Sequence, residues 1–268
     1  MTDQTNISNS SIISKILTIS RNTFREAVRD RVLYNLVIFV LLITVSAIFI
    51  GELTAGQEAR TIVNLGLTAM LIFGAFISIF VGVSLVSKEI EKRTVYAIFS
   101  KPIGRGEFII GKYSGLCLTL LVNVLIMGIG VSLALFYVGG SGLAVSIWGT
   151  IFLIFLELTI LTAVAILFSS FSSPALSALL TFFVFVIGHF SASLRDLAER
   201  IGSQSAKIVF GAIYYLMPNL SFYSFTTNAA HGNVPPSSMI LGAVFYAVIY
   251  VSILLAVTVL IFSRRNFK

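Results

Sequence analysis

The chain has 268 residues, of which 57% are hydrophobic and only 11% are charged, and its mean hydropathy is +1.00. A soluble domain carries about 25% charged residues, so this composition excludes a single soluble core and indicates an integral membrane protein. The placement of the net charge of +7 follows membrane topology, which argues against nucleic acid as a partner. The single cysteine, Cys117, excludes an intrachain disulfide and a cysteine metal cluster.

The first predicted element is an amphipathic helix over residues 10–31. At about 100° per residue, apolar side chains share one face and cations fall on the other. The apolar face comprises Ile12, Ile13, Ile16, Leu17, Ile19, Phe24, Ala27 and Val28, and the cationic face comprises Lys15, Arg21, Arg25 and Arg29. Such a helix lies in the headgroup layer and binds anionic membrane lipid. An ordinary solvated helix before a span is the alternative.

Two membrane spans are predicted next, over residues 32–51 and 61–87. The first is twenty residues without a charge, or about 30 Å of helix, which is enough to cross a bilayer. Small residues recur at four- and eight-residue steps in the second span, which predicts close packing against neighbouring helices. They are Gly66, Gly74, Ser78 and Gly82.

A charged segment, residues 88–112, follows the second span and must lie in water at one membrane face, because apolar spans flank it. Thr94 can cap a short helix over residues 95–100, and Pro102 ends it. The apolar face of that helix comprises Val95, Ile98 and Phe99, and the charges around it include Glu89, Glu91, Arg93, Arg105 and Lys112. A short helix with an apolar face and a charged rim fits the cleft of a soluble partner. A solvated loop whose charges only fix topology is the alternative.

Residues 106–113 nearly match the phosphate-binding pattern G-x-x-x-x-G-K-[ST]. Tyr113 stands at the last position, where it cannot serve as the small hydroxyl ligand of magnesium. We therefore expect no nucleotide and no other cofactor in this chain. Gly111 and Gly115 instead predict close packing at the start of the third span.

The remaining chain predicts four further spans. Residues 113–156 are uncharged, too long for one span, and the glycines at 139–142 divide them. Pro174 marks the next turn. The predicted spans are 113–138, 147–170, 175–194 and 239–263. The extracytoplasmic loop, residues 195–238, contains short apolar pieces with tyrosine-rich flanks, which favour a re-entrant or interfacial segment. With both termini cytosolic, 14 of the 18 Lys and Arg residues lie inside, as the positive-inside rule expects.

The charged segment also carries a resemblance to a known family. It reads Glu89-Ile-Glu-Lys-Arg-Thr94, then Ser100-Lys-Pro102, Arg105 and Gly111-Lys112. This order resembles the loop between the second and third spans of ABC-2 type permeases, although Arg93 stands where the family usually has Gly. The six-span architecture is also similar. The resemblance is closest to the single-domain bacterial permeases of the kind found with the nitrous oxide reductase maturation transporter.

The resemblance implies a function and a set of partners. The family's proteins pair as two permease halves, here a homodimer, with two copies of a separate ATPase that binds ATP and Mg²⁺. The loop supplies a coupling helix that docks on the ATPase, and transport is usually outward. The chain would then be a non-enzymatic permease subunit of an exporter in the bacterial cytoplasmic (inner) membrane. The residues alone leave open a membrane scaffold that recruits a soluble complex. They fit an intramembrane enzyme poorly, because only Glu157 and His189 are ionisable candidates inside spans.

Glu157 is the only acid placed inside a predicted span. A charge at that depth costs about 2.5–3.5 kcal/mol on insertion scales, so we expect it to face the bundle interior or to be protonated. It is either a substrate- or proton-sensing group on a possible translocation path or a buried carboxyl bonded to a neighbouring helix, with Asn123 as a candidate partner. His189 lies in an apolar span without a second metal ligand nearby in sequence, which indicates a packing residue rather than a metal site.

Overall fold

The computed structural model describes residues 2–28, 56–91, 104–191 and 217–264, with isolated positions between 38 and 49 and at 211–212. The described residues are helical and contain no strand. Four of their helices are long and apolar enough to cross a membrane, namely Glu58–Glu89, Arg105–Tyr137, Ser141–Ser169 and Ser237–Arg264. The all-α membrane class is confirmed at this level. The count of six spans stays a prediction, because the proposed span 32–51 and the coupling helix at 95–100 lie largely or wholly outside the described residues.

We number the helices in chain order. They are α1 Thr2–Ala27, α2 Glu58–Glu91, α3 Arg105–Tyr137, α4 Ser141–Ser146, α5 Trp148–Ser169, α6 Pro174–His189, α7 Thr226–Ala230 and α8 Ser237–Arg264. A short 3-10 helix, Leu220–Tyr223, precedes α7.

The boundaries of α3 show how local chemistry sets its length. It begins at Arg105, eight residues before the predicted start, and the Glu107 carboxylate accepts a hydrogen bond from the Gly104 N–H at 2.9 Å. That contact satisfies one of the donors that a helix start leaves open. At the other end Gly139 has φ 81°, and the Gly140 N–H donates to the Leu135 carbonyl at 2.8 Å. The predicted glycine break is therefore confirmed as a helix C-cap.

The turn before α6 also follows from its sequence. Ser173 is extended, with φ −71° and ψ 154°, and Pro174 is the first helical residue, where its missing N–H costs nothing. The described helix has sixteen residues, or about 24 Å, so it is shorter than the predicted span 175–194. The rest of that predicted span falls mostly outside the described residues.

Helix α5 lies at the centre of the described bundle, where it packs against α2, α3, α6 and α8. Glycines on α2 allow this approach. A Cβ on Gly74 would lie 2.4 Å from Leu158 Cδ1, and a Cβ on Gly82 would lie 3.0 Å from the Cβ of Ala165. The predicted packing role of the small residues on α2 is therefore confirmed.

Helix α1 packs along the first half of α3. A Cβ on Gly111 would lie 2.7 Å from Ile19 Cβ, and a Cβ on Gly115 would lie 2.6 Å from the Ser20 carbonyl oxygen. The predicted packing role of these two glycines is confirmed. Only part of the predicted apolar face is buried in this contact, since Ile13 and Leu17 remain 59% and 64% exposed. The headgroup-layer position of α1 stays a prediction.

The described part of the predicted extracytoplasmic loop is folded onto the bundle. A Cβ on Gly188 of α6 would lie 2.8 Å from the Pro218 carbonyl oxygen, so only glycine permits this contact. Tyr223 is buried, and its hydroxyl donates to the Ala243 carbonyl of α8 at 2.9 Å. The Asn219 N–H donates to the Tyr246 hydroxyl oxygen at 3.0 Å. These bonds fix the 3-10 helix between α6 and α8.

Candidate functional site

Two groups of polar residues stand out in this apolar bundle. The first, which we call the charged cluster, comprises Glu26, Glu89, Arg105, Glu107 and Lys112. It lies where the charged segment 88–112 joins the helices. The second, which we call the interior pair, comprises Glu157 on α5 and His189 at the end of α6.

Lys112 is the centre of the charged cluster. Its Nζ lies 2.5 Å from Glu89 Oε1 at the end of α2 and 3.4 Å from Glu26 Oε2 at the end of α1. The lysine side chain is only 6% exposed, and its ammonium also lies 5.8 Å from the ring centroid of Phe108. An ammonium buried to this degree requires a carboxylate partner, which Glu89 supplies. Lys112 therefore joins three helices at one point.

Arg105 extends the cluster to a fourth helix. Its guanidinium donates to the carbonyl oxygens of Phe262, at 3.0 Å, and of Ser263, at the C-terminal end of α8. The last carbonyls of a helix have no partner within the helix and carry the negative end of its dipole, so a cation there is favourable. The rings of Phe108 and Phe262 stack beside this contact with their centroids 6.0 Å apart. The start of α3 is thus attached to the end of α8.

Glu107 links the same turn of α3 to α1. Its Oε2 lies 3.9 Å from Lys15 Nζ, and it also accepts the Gly104 hydrogen bond described above. The Lys15 side chain is 32% exposed, so water screens this contact and its contribution is small. The described ends of segment 88–112 are the last turn of α2 and the first turns of α3. Together the five residues connect these two ends to each other and to α1 and α8.

The structure brings together only part of the predicted docking set. Glu89, Arg105 and Lys112 lie in the charged cluster, and Glu91 is the last residue of α2. The predicted residues Arg93, Thr94, Val95, Ile98, Phe99 and Pro102 lie outside the described residues. Lys112 is buried inside the cluster rather than on an accessible rim.

Sequence reasoning missed two members of the cluster. Glu26 was not singled out, because it interrupts the cationic face of α1. Glu107 was read only as part of a failed phosphate loop. The available signal was topological, since both acids belong to segments predicted to lie on the cytosolic side with Lys112. An acid near the end of α1 and a lysine at the start of the third span were candidates for pairing.

The interior pair lies deeper in the bundle. Glu157 is 1% exposed, and its Oε1 lies 3.3 Å from His189 Nε2. The other ring nitrogen, Nδ1, lies 3.1 Å from the Phe185 carbonyl oxygen, and the Phe185 ring packs edge-on with its centroid 4.8 Å from that of His189. Neither Glu157 Oε1 nor His189 Nε2 has a hydrogen-bond partner among the described residues. His189, which sequence analysis treated as a packing residue, is therefore in contact with Glu157 without a hydrogen bond between the two atoms.

Asn123, the predicted candidate partner of Glu157, makes a different contact. Its Nδ2 donates to the Thr119 carbonyl of its own helix at 2.7 Å. Its Oδ1 is buried and has no hydrogen-bond partner among the described residues. Sequence could not identify His189 as the residue that faces Glu157, because facing positions on different helices depend on how those helices pack.

A bundle whose described part contains four apolar helices of membrane-spanning length is that of a polytopic membrane protein. The family model described as ABC-2 family transporter protein matches residues 17–267. The chain therefore belongs to the ABC-2 transporter family and is a membrane subunit of a transporter. A comparison with individually curated proteins gives no match. The match is made at the level of the family, so the nitrous oxide reductase maturation subtype stays a prediction.

Proposed function

We propose that this chain is the permease subunit of an ATP-binding cassette exporter. Two copies pair with two copies of a separate ATPase subunit, which holds ATP and Mg²⁺. The complex lies in the bacterial cytoplasmic membrane with both termini of this chain in the cytosol. Membership of the ABC-2 family supports the transporter assignment. The outward direction rests on family analogy.

The observation that carries the proposal is the attachment of segment 88–112 to four helices. Lys112 joins α3 to α1 and α2, and Arg105 joins α3 to α8. A partner that pulls on the segment therefore moves the ends of these helices together, because the charged cluster resists their separation. This is the mechanical property that coupling to an ATPase requires.

Within this proposal the predicted docking residues have two different tasks. Val95, Ile98 and Phe99 form the apolar contact with the ATPase, and Thr94 and Pro102 set the ends of that short helix. Glu91 and Arg93 lie beside it and set its orientation. Glu89, Arg105 and Lys112 do not contact the ATPase. They connect the docking segment to other helices of this chain.

The translocation path lies between the helices around α5. Glu157 and Asn123 are the polar side chains proposed for it, because each is a buried polar group of a central helix. Their contacts differ, since Glu157 lies 3.3 Å from His189 and Asn123 donates to the Thr119 carbonyl, so we expect them to act at different points on that path.

The two tasks can be separated experimentally. We expect Phe99→Asp to abolish co-purification of the full-length chain with its ATPase, because a charge replaces an apolar contact. We expect Arg105→Ala to leave co-purification intact and to reduce permease-dependent ATP turnover in proteoliposomes by about tenfold, a loss of about 1.4 kcal/mol of coupling. The control is Arg60→Ala, because Arg60 is an exposed arginine near the start of α2, at the end of that helix away from the charged cluster.

The alternative is a membrane scaffold that recruits a soluble complex through the same segment. A scaffold would bind the ATPase but would not change its turnover, so Arg105→Ala and the wild type would hydrolyse ATP at the same rate. That result would contradict the proposed function. Failure to co-purify any ATPase would contradict both readings.

A further inference from the structure

The interior pair has a geometry that determines where its hydrogens lie. The Phe185 carbonyl oxygen, 3.1 Å from His189 Nδ1, can only accept a hydrogen bond, so Nδ1 carries a hydrogen. In a neutral imidazole the second nitrogen, Nε2, then has a lone pair and no hydrogen. Glu157 Oε1 lies 3.3 Å from this nitrogen. A carboxylate facing a lone pair would be repelled, so the pair must hold one additional proton.

That proton can lie on either member of the pair. On His189 it creates two opposite charges inside the bundle, and on Glu157 it leaves both groups neutral. Glu157 is 1% exposed, and burying two charges costs more than burying a neutral acid and a neutral imidazole. The neutral arrangement, with the proton on Glu157, is therefore favoured.

Among the described residues, the ionisable side chains around Glu157 include His189 and the phenol of Tyr223 in the 3-10 helix. Helices α3 and α8, which pack against α5, carry the phenols of Tyr113, Tyr246 and Tyr250 and the thiol of Cys117. Residues 61–87 of α2 and residues 141–146 of α4 contain no titratable side chain. His189 is the one basic group that faces Glu157 among these described elements, and its side chain is 25% exposed.

We propose that Glu157 and His189 form a proton-binding site inside the membrane, with Glu157 holding the proton and His189 exchanging it with water. In the exchange, the Oε1–H bond of Glu157 breaks and the proton moves to Nε2 of His189. The resulting imidazolium then releases its Nδ1 proton to water, and the neutral imidazole that remains carries its hydrogen on Nε2, facing the Glu157 carboxylate. A proton from water returns by the same route. The proposal rests on the geometry of the pair and does not depend on the proposed transport function.

Infrared spectroscopy of the full-length chain in lipid nanodiscs tests this site directly. At neutral pH we expect a carbonyl stretch from a protonated carboxylic acid that is absent in Glu157→Gln. The band should shift on transfer to D₂O, because the acid hydrogen exchanges. In His189→Gln we expect this shift to be at least about tenfold slower, because a positioned imidazole speeds proton transfer by roughly 100-fold or more.

The chain contains a matched control for the histidine. His231 is the only other histidine in the sequence. Its Nδ1 lies 2.8 Å from the Thr227 carbonyl oxygen, and His189 Nδ1 likewise lies 3.1 Å from the carbonyl oxygen four residues earlier, that of Phe185. His231 is exposed at a turn after α7. We expect His231→Gln to leave both the acid band and its exchange rate unchanged.

A second measurement needs no change at His189. Solid-state NMR of the wild-type chain with ¹⁵N-labelled histidine should show Nδ1 protonated and Nε2 unprotonated at residue 189, with the His231→Gln spectrum used for assignment. An imidazolium at neutral pH would overturn the proposal, and so would the absence of a Glu157-dependent acid band. An acid band whose exchange is the same in His189→Gln would also overturn it, because the pair would then be a static tie between α5 and α6.

Discussion

The charged cluster and the interior pair both place a carboxylate against a basic side chain, at 2.5 Å for Glu89 with Lys112 and 3.3 Å for Glu157 with His189. Their surroundings differ. The cluster lies at the ends of helices, where Glu26 is still 44% exposed and supplies a second carboxylate to Lys112. Glu157 lies near the middle of α5 and has one basic partner among the described residues.

This difference decides what each pair can do. In the cluster, partial access to water and two acids for one ammonium keep the groups charged, so the pairs act as fixed attachments between helix ends. In the interior, two facing charges are too costly, and one proton is shared instead. In our proposal, depth in the bundle and the change of basic partner from lysine to histidine together separate a structural attachment from a proton site.

The largest expected effect comes from removing the cation at the centre of the cluster. Lys112→Met keeps the length of the side chain but removes the ammonium that lies 2.5 Å from Glu89, whose side chain is 18% exposed. Breaking a buried ion pair from one side costs about 3 kcal/mol, and Glu26 adds little because water screens it. We expect the free energy of unfolding of the full-length protein in detergent to fall by about that amount.

The control for this prediction is Lys112→Arg, which keeps a cation within reach of both acids. It should recover most of the lost stability. If Lys112→Met and Lys112→Arg are equally stable, the cluster does not hold the helix ends together electrostatically.

A smaller effect is expected when the cluster keeps its charges but α1 is moved away. In Gly115→Ala the new Cβ would lie 2.6 Å from the Ser20 carbonyl oxygen, which is backbone and cannot move aside without shifting α1. Overpacking of this kind costs about 1–3 kcal/mol. Gly130→Ala on the same helix is the matched control, because nothing lies within 4 Å of its Cβ. Thermal unfolding of both variants measures the difference, which should vanish if α1 does not pack on α3.

Sequence alone predicted the framework of the fold because its signals are local. The glycine break at Gly139 and the proline turn at Pro174 each act within a few residues, and both were confirmed in the structure. Among the described residues, four of the apolar stretches form helices of membrane-spanning length. The packing role of Gly111 and Gly115 was also predicted, since small residues four apart lie on one face of a helix.

The candidate site was only partly predictable, because its contacts join distant segments. The residues of segment 88–112 were recognisable as a group, but Arg105 binds α8 and Lys112 binds α1, which depends on how the helices are arranged. The early start of α3 was missed because its first residues are charged. The capping contact of Glu107 and the pairing of Lys112 make that turn stable as a helix.

A still smaller effect is expected from neutralising the acid of the interior pair. Glu157→Gln replaces the O–H donor with an N–H donor of similar shape, so a neutral pair should lose less than about 1 kcal/mol. The same change in the cluster, Glu89→Gln, removes a charge-assisted contact and should cost about 2 kcal/mol. Unfolding free energies measured side by side test the comparison. A larger loss for Glu157→Gln than for Glu89→Gln would show that the interior carboxyl is charged.

The smallest expected effect is at the edge of the cluster, where Lys15 Nζ lies 3.9 Å from Glu107 Oε2. The Lys15 side chain is 32% exposed. Lys15→Ala should cost less than about 0.5 kcal/mol, because exposed ion pairs contribute little. Glu107→Ala should cost about 1 kcal/mol, because it also removes the cap on the Gly104 N–H. A double-mutant cycle isolates the pair energy, which should disappear at about 1 M salt, where the Debye length is about 3 Å. A coupling that persists at that ionic strength would place Lys15 among the fixed attachments with Lys112.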